Sequence, residues 1–265
     1  MKPCFATRLV RGVGCVMLLA TAFTARAQAT TNGFAFTDFL LAPLRIHLLT
    51  STNEPTIHTT LTSNDVTRIL GKVNRVWAQA GITFYLESLR IEPAVNTEGF
   101  RDNVKTNSDA LLRLRPESSK ATNVFHVYYL KQFGPNGICI RGINFVKDTA
   151  GLRAVEGGLD EPLPRVTSHE LGHALTLPHR QDVTNLLASG MSGAWLNESE
   201  IKQARAAART KPWIQTAPDV WKNADALRIA NKPVEAQRLW QQVMHLPLNC
   251  DSTRQARKRV EEQAK

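Results

Sequence analysis

From residue 169 to residue 179 the chain reads His-Glu-Leu-Gly-His-Ala-Leu-Thr-Leu-Pro-His. An α-helix turns about 100° per residue, so His169 and His173 lie about 40° apart on one helix face, where both imidazoles reach a single ion. That is the spacing zinc needs. Glu170 follows the first of them directly and falls beside the ion instead of on it, placed to take a proton from a water that the ion activates. His179, six residues past His173, cannot share the same straight helix. Pro178 disfavours helix at Leu177 and has no backbone N–H to give, so the helix is expected to end near Thr176 and release His179 into a loop that turns back toward the ion.

The segments before this run predict a sheet and one long helix. Leu44, Ile46 and Leu48 alternate with Arg45 and His47, the pattern of a half-buried strand. Thr62-Ser63-Asn64-Asp65 has the form of a capping box, and Val66, Ile69, Leu70, Val73, Val76, Trp77 and Ala80 recur at helical spacing until Gly81. Residues 82–89, 123–130 and 138–146, rich in β-branched and aromatic side chains, are the other expected strands. Residues 147–164 show no period and are expected to form a loop feeding the helix that starts near Arg165, at the rim of any substrate site. After Asn197 the pattern is helical: Asn197 and Glu200 read as cap and box. Residues 223–247 read as two short helices broken at Lys232-Pro233, like one tetratricopeptide-type hairpin packed on the main domain.

The run His169-Glu170-x-x-His173-x-x-Thr176-x-x-His179 resembles the extended zinc motif of the metzincin clan, and the order of strand, long helix and further strands before it is similar too. The resemblance covers roughly residues 44–197. It implies an α/β (α+β) zincin with a twisted mixed sheet, a long backing helix and an active-site helix. It also implies one catalytic Zn2+ held by His169, His173 and His179, with Glu170 as the base in peptide-bond hydrolysis. Two positions depart from the clan's pattern. Thr176 stands where a glycine permits a left-handed turn, and a β-branched residue there is strained, so a different turn is expected. Asn185-Leu186-Leu187 resembles a turn that carries methionine at its third position, with Leu187 as the apolar substitute and Met191 as the other candidate. Should His179 not bind, the third ligand falls to Asp182, Glu198 or Glu200.

Composition bounds the rest. A hydrophobic content of 43% over 265 residues supports a core of ordinary size. Residues 1–27 have the charged start, short apolar run and Ala25-Arg26-Ala27 exit of a signal peptide, which implies a secreted or periplasmic chain with no transmembrane segment after cleavage. The expected domains are thus 1–27 signal peptide, 28–198 metallopeptidase domain and 199–265 helical extension. Removal of the leader takes away Lys2, Arg8, Arg11 and Arg26 and no acidic residue, so the net charge falls from +10 to +6. No interleaved basic and aromatic motif accompanies that charge, and nucleic acid is not expected as a partner. Cys139 and Cys250 remain, and whether they pair is open. His47, His58 and His245 are read as surface or satisfied polar residues, and His126 and the Tyr128-Tyr129 pair as packing. The expected partner is a protein or peptide substrate, with a protein partner for the C-terminal helices as a further candidate. Two rivals stay beside the peptidase: a zinc-containing binding or scaffold module without catalysis, and a zinc amidase acting on cell-envelope peptides.

Overall fold

The computed structural model describes residues 36, 38–98, 100 and 109–244. The expected signal peptide, His245 and Cys250 lie outside these residues, and with them the question of a Cys139–Cys250 pair. Among the described residues no helix is long and apolar enough to cross a membrane.

A mixed sheet forms the centre. Strands β1 (Leu40–Thr50), β2 (Ile82–Pro93), β3 (Phe125–Leu130), β4 (Gly137–Ile140) and β5 (Ile143–Lys147) lie in the order β2-β1-β3-β5-β4. All pairings along this path are parallel except β4 with β5, which run antiparallel and leave β4 at the edge. A two-residue strand, β6 (Gln215–Thr216), pairs with the start of β1.

A parallel sheet needs cover on both faces, and here it has it. On one face Leu44, Ile46 and Leu48 of β1 pack under helix α1 (Ser63–Trp77) and helix α3 (Pro162–Ala174). Helix α1 begins with the expected capping box, Thr62 with Asp65, and after a 3-10 turn at Ala78–Ala80 it stops at Gly81, whose φ of 58° suits glycine. Helix α4 (Glu198–Arg209) joins the same core through Ile201, Ala204 and Ala208. Its own capping box is Asn197 with Glu200.

The other face is covered in two places. At one end the helical hairpin of α5 (Ala217–Ile229) and α6 (Pro233–Met244) sets Val220, Ala224, Trp240 and Val243 on Phe39 and Leu41. At the other end Phe100, Leu114 and the short helix α2 (Asp109–Arg113) cover Leu49, Tyr128 and Phe145. Between them runs a buried polar chain. His126 Nε2 lies 2.7 Å from the Ala121 carbonyl, His126 Nδ1 lies 3.0 Å from His47 Nε2, and His47 Nδ1 lies 2.6 Å from Glu92 Oε1. Tyr128 stacks on the His47 ring at 4.0 Å.

Two expectations are corrected here. The first strand is not half-buried: Arg45 and His47 face inward as well, Arg45 forked onto Glu87 at 2.8 and 2.9 Å and His47 fully enclosed. Alternation of polar and apolar residues signals two different faces, but both are interior in a central parallel strand. Residues 138–146 are not one strand but a hairpin. Arg141 and Gly142, with φ of 52° and 78°, form the tight two-residue turn that a twisted hairpin favours.

Candidate metal centre

Helix α3 starts at Pro162, three residues before the expected Arg165. Pro162 and Pro164 fit its first turn because backbone N–H groups there have no partner inside the helix. The helix ends at Ala174. Thr176 N–H donates to His173 O at 2.9 Å and Leu177 N–H to Gly172 O at 2.9 Å, the paired bonds of a Schellman cap. The position in that cap normally held by glycine is Thr176, with φ of 68°. The expected different turn is therefore corrected: threonine accepts the left-handed conformation, and Gln203 Nε2 donates to its carbonyl at 2.6 Å. The cap, with Pro178 after it, carries the chain back so that His179 faces the helix.

The three histidines meet. His173 Nε2 lies 3.0 Å from His169 Nε2 and 3.1 Å from His179 Nε2. Nitrogens about 2.0–2.1 Å from a tetrahedral ion stand roughly 3.3 Å apart, so the cluster is slightly tighter than a filled site. The other ring nitrogens are engaged: His169 Nδ1 is 2.8 Å from Leu186 O, and His173 Nδ1 is 2.7 Å from Leu177 O. A carbonyl only accepts, so each Nδ1 carries the proton and each Nε2 turns a lone pair inward. Burial lowers His169 to about 3 and lowers His173 as well, which keeps both rings neutral. The residues fit a metal ion.

Glu170 is buried beside this cluster. Burial pushes its carboxyl up to about 8, against the lowering effects of Arg165 and of a hydrogen bond from the Cys139 backbone; an ion held by the histidines would draw it back down. Strand β4 lies against it so closely that a β-carbon on Gly137 would come within 2.6 Å of Glu170 Oε1. Together β4 and α3 form the walls of a cleft of about 540 Å³, with Leu152 and Ser189-Gly190 also lining it.

The alternative third ligands are elsewhere. Asp182 is occupied by Thr184 N–H at 2.9 Å and Thr184 Oγ1 at 2.8 Å, and Glu198 pairs with Lys202. Glu200 is fully buried, accepting from Arg180 Nε at 2.6 Å, Asn185 Nδ2 at 2.8 Å and Asn197 N at 2.9 Å. Leu187 is the apolar residue beneath the helix: it is enclosed, and a β-carbon on Gly172 would meet its Cδ1 at 3.2 Å. Met191 instead bridges to Arg153.

Sequence reasoning passed over Gly137 and Arg165. Gly137 was submerged in a run of turn-forming residues. Arg165 carried a signal that went unused: it stands four residues before His169, on the same face of the helix, and is directed into the same site.

No family model matches this sequence, and no curated protein matches it. Among solved structures, the chain is similar to an archaemetzincin from Methanopyrus kandleri, at 12% identity and a TM-score of 0.42, over 63% of this chain and 96% of that one.

Proposed function

We propose that this protein is a zinc-dependent metallopeptidase of the zincin type that acts outside the cytoplasm. The observation that carries the reading is the convergence of His169, His173 and His179 through Nε2, with the Nδ1 of the first two anchored on backbone carbonyls and Glu170 alongside. Three histidine nitrogens converging on an open cleft are the donor set of a catalytic zinc site, which keeps one position free. When bound, zinc supplies a Lewis acid that makes water a nucleophile near neutral pH and polarises a carbonyl.

The chain's own residues do the remainder. Glu170 accepts the proton of the attacking water and returns it to the leaving amine nitrogen, so that a peptide bond breaks with no net proton uptake. Strand β4 is an edge, and an extended peptide laid along it continues the sheet past the cluster. Gly137 and Cys139 place that edge against Glu170, so the scissile bond lies within reach of the carboxylate. The leader-like residues 1–27 support export.

The test compares zinc content and peptide cleavage of the purified chain with those of Glu170→Gln and His179→Ala. One zinc per chain is expected, with cleavage falling about 10²- to 10⁴-fold in Glu170→Gln while zinc is retained, and zinc weakened in His179→Ala. Equal activity in Glu170→Gln would overturn the assignment of Glu170 as the general base. Zinc without cleavage of any peptide pool would indicate a binding module, and cleavage confined to cell-envelope peptides an amidase.

A further inference from the structure

Arg165 brings a positive charge into the interior beside the histidine cluster. It is 1% exposed, and among the described residues it forms no ion pair. An unpaired cation at such depth costs several kcal/mol unless its donors are satisfied. Here carbonyl oxygens satisfy them. Its Nε donates to Gly193 O at 3.0 Å, and its Nη2 to Ala188 O at 2.5 Å and Asn185 O at 3.3 Å. One planar fork thus spans the loop from 185 to 193. Inside that span is Leu186, whose carbonyl takes the His169 Nδ1 proton.

The remaining donor makes the geometry informative. Arg165 Nη1 lies 3.1 Å from His169 Nδ1. A guanidinium only donates, so it favours a bare Nδ1, the tautomer with the proton on Nε2 and no lone pair for an ion. The Leu186 carbonyl, nearer at 2.8 Å, favours the opposite tautomer. Were the loop to move away, the arginine alone would select the form that cannot bind metal.

We propose that Arg165 is a positioning residue: by clamping the carbonyls of residues 185, 188 and 193 it keeps the Leu186 carbonyl on His169 Nδ1 and so sets the tautomer that leaves His169 Nε2 free for a metal ion. The role rests on the reading of His169 as a ligand, but the tautomer itself exists without metal. Lysine cannot replace arginine here, because a single ammonium cannot span three carbonyls in a plane.

The experiment is ¹⁵N NMR of histidine-labelled, metal-free full-length chain at pH 8, which reads the protonated nitrogen of each ring, alongside zinc affinity by chelator competition. Wild type is expected to show His169 protonated at Nδ1 alone. Arg165→Lys, with unchanged circular dichroism, should show both tautomers and bind zinc about 10- to 100-fold more weakly. A single Nδ1–H tautomer in folded Arg165→Lys overturns the role. Should that variant not fold, Arg165→Gln carries the same test, because a side-chain amide is neutral and cannot span the three carbonyls. A single Nδ1–H tautomer in folded Arg165→Gln also overturns it. Wild type with the Nδ1–H tautomer and no affinity for zinc would instead sink the metallopeptidase reading and leave the positioning role standing.

Discussion

Gly137 lies against Glu170 with no room for a methyl group: a β-carbon there would meet Glu170 Oε1 at 2.6 Å and Glu170 Cγ at 2.8 Å. The edge strand and the proposed base are thus fitted to one another across the cleft.

Gly137→Ala must therefore move either the carboxylate or the strand. Displacement of a catalytic group by an ångström costs on the order of 10²-fold in rate. The three histidines are untouched, so the expected result is full zinc content with kcat/KM reduced by about 10- to 100-fold. Wild-type kcat/KM in this variant would show that Glu170 and β4 are not coupled.

Thr176 occupies the left-handed position of the cap at the end of α3 with φ of 68°. For a β-branched residue this is strained by about 1–2 kcal/mol, while glycine in the unfolded chain gives back part of the difference. Thr176→Gly is expected to raise stability by about 0.5–1 kcal/mol in urea denaturation, since the Gln203 bond to the backbone at 2.6 Å survives and only its long contact to the threonine hydroxyl, at 3.5 Å, is lost. A loss of stability would mean that the threonine side chain does more than tolerate its conformation.

The pH dependence of stability follows from a proton count. His126 Nε2–H donates to Ala121 O, so His126 Nδ1 accepts from His47 Nε2–H, and one proton is left for His47 Nδ1 and Glu92 Oε1 to share. Burial pushes His47 down to about 2, raises Glu92 and lowers His126, which favours a neutral carboxyl facing neutral rings. Below a pH of about 6.5 unfolded histidines take up protons that the folded ones refuse, so stability falls as acid is added. The proton retained on Glu92 acts the other way: because its folded value is raised, that contribution falls as pH rises from the ordinary glutamate value through the folded one. Each proton of difference is worth about 1.4 kcal/mol per pH unit. Two histidines outweigh one carboxyl, so denaturation midpoints should fall from about pH 6.5 toward about pH 4.5. Flatness down to pH 4.5 would rule out buried neutral histidines.

Much of the fold was legible because its signals are local. The capping boxes at Thr62 and Asn197, the stripe from Val66 to Ala80 and the break at Lys232-Pro233 each act within a few residues, and each element begins or ends where those residues require. The turn at Arg141-Gly142 was equally local but lay hidden in a continuous β-rich run. His169 and His173 were placed on one face by helix phase alone.

What the sequence by itself determined is which side chains come to the cluster: a helix repeats every 3.6 residues whatever surrounds it, and the short link to His179 has few ways to turn. The tertiary structure alone decided how they are poised. Leu186 is 17 residues from His169, Gly137 is 33 from Glu170, and the carbonyls held by Arg165 are 20 to 28 residues away, so no local periodicity relates them. The same holds for His47, whose partners arrive on β2 and β3. Which hydrogen bond fixes a ring, and which strand presses on a carboxylate, depends on how loops close and faces pack, and those are properties of the whole chain.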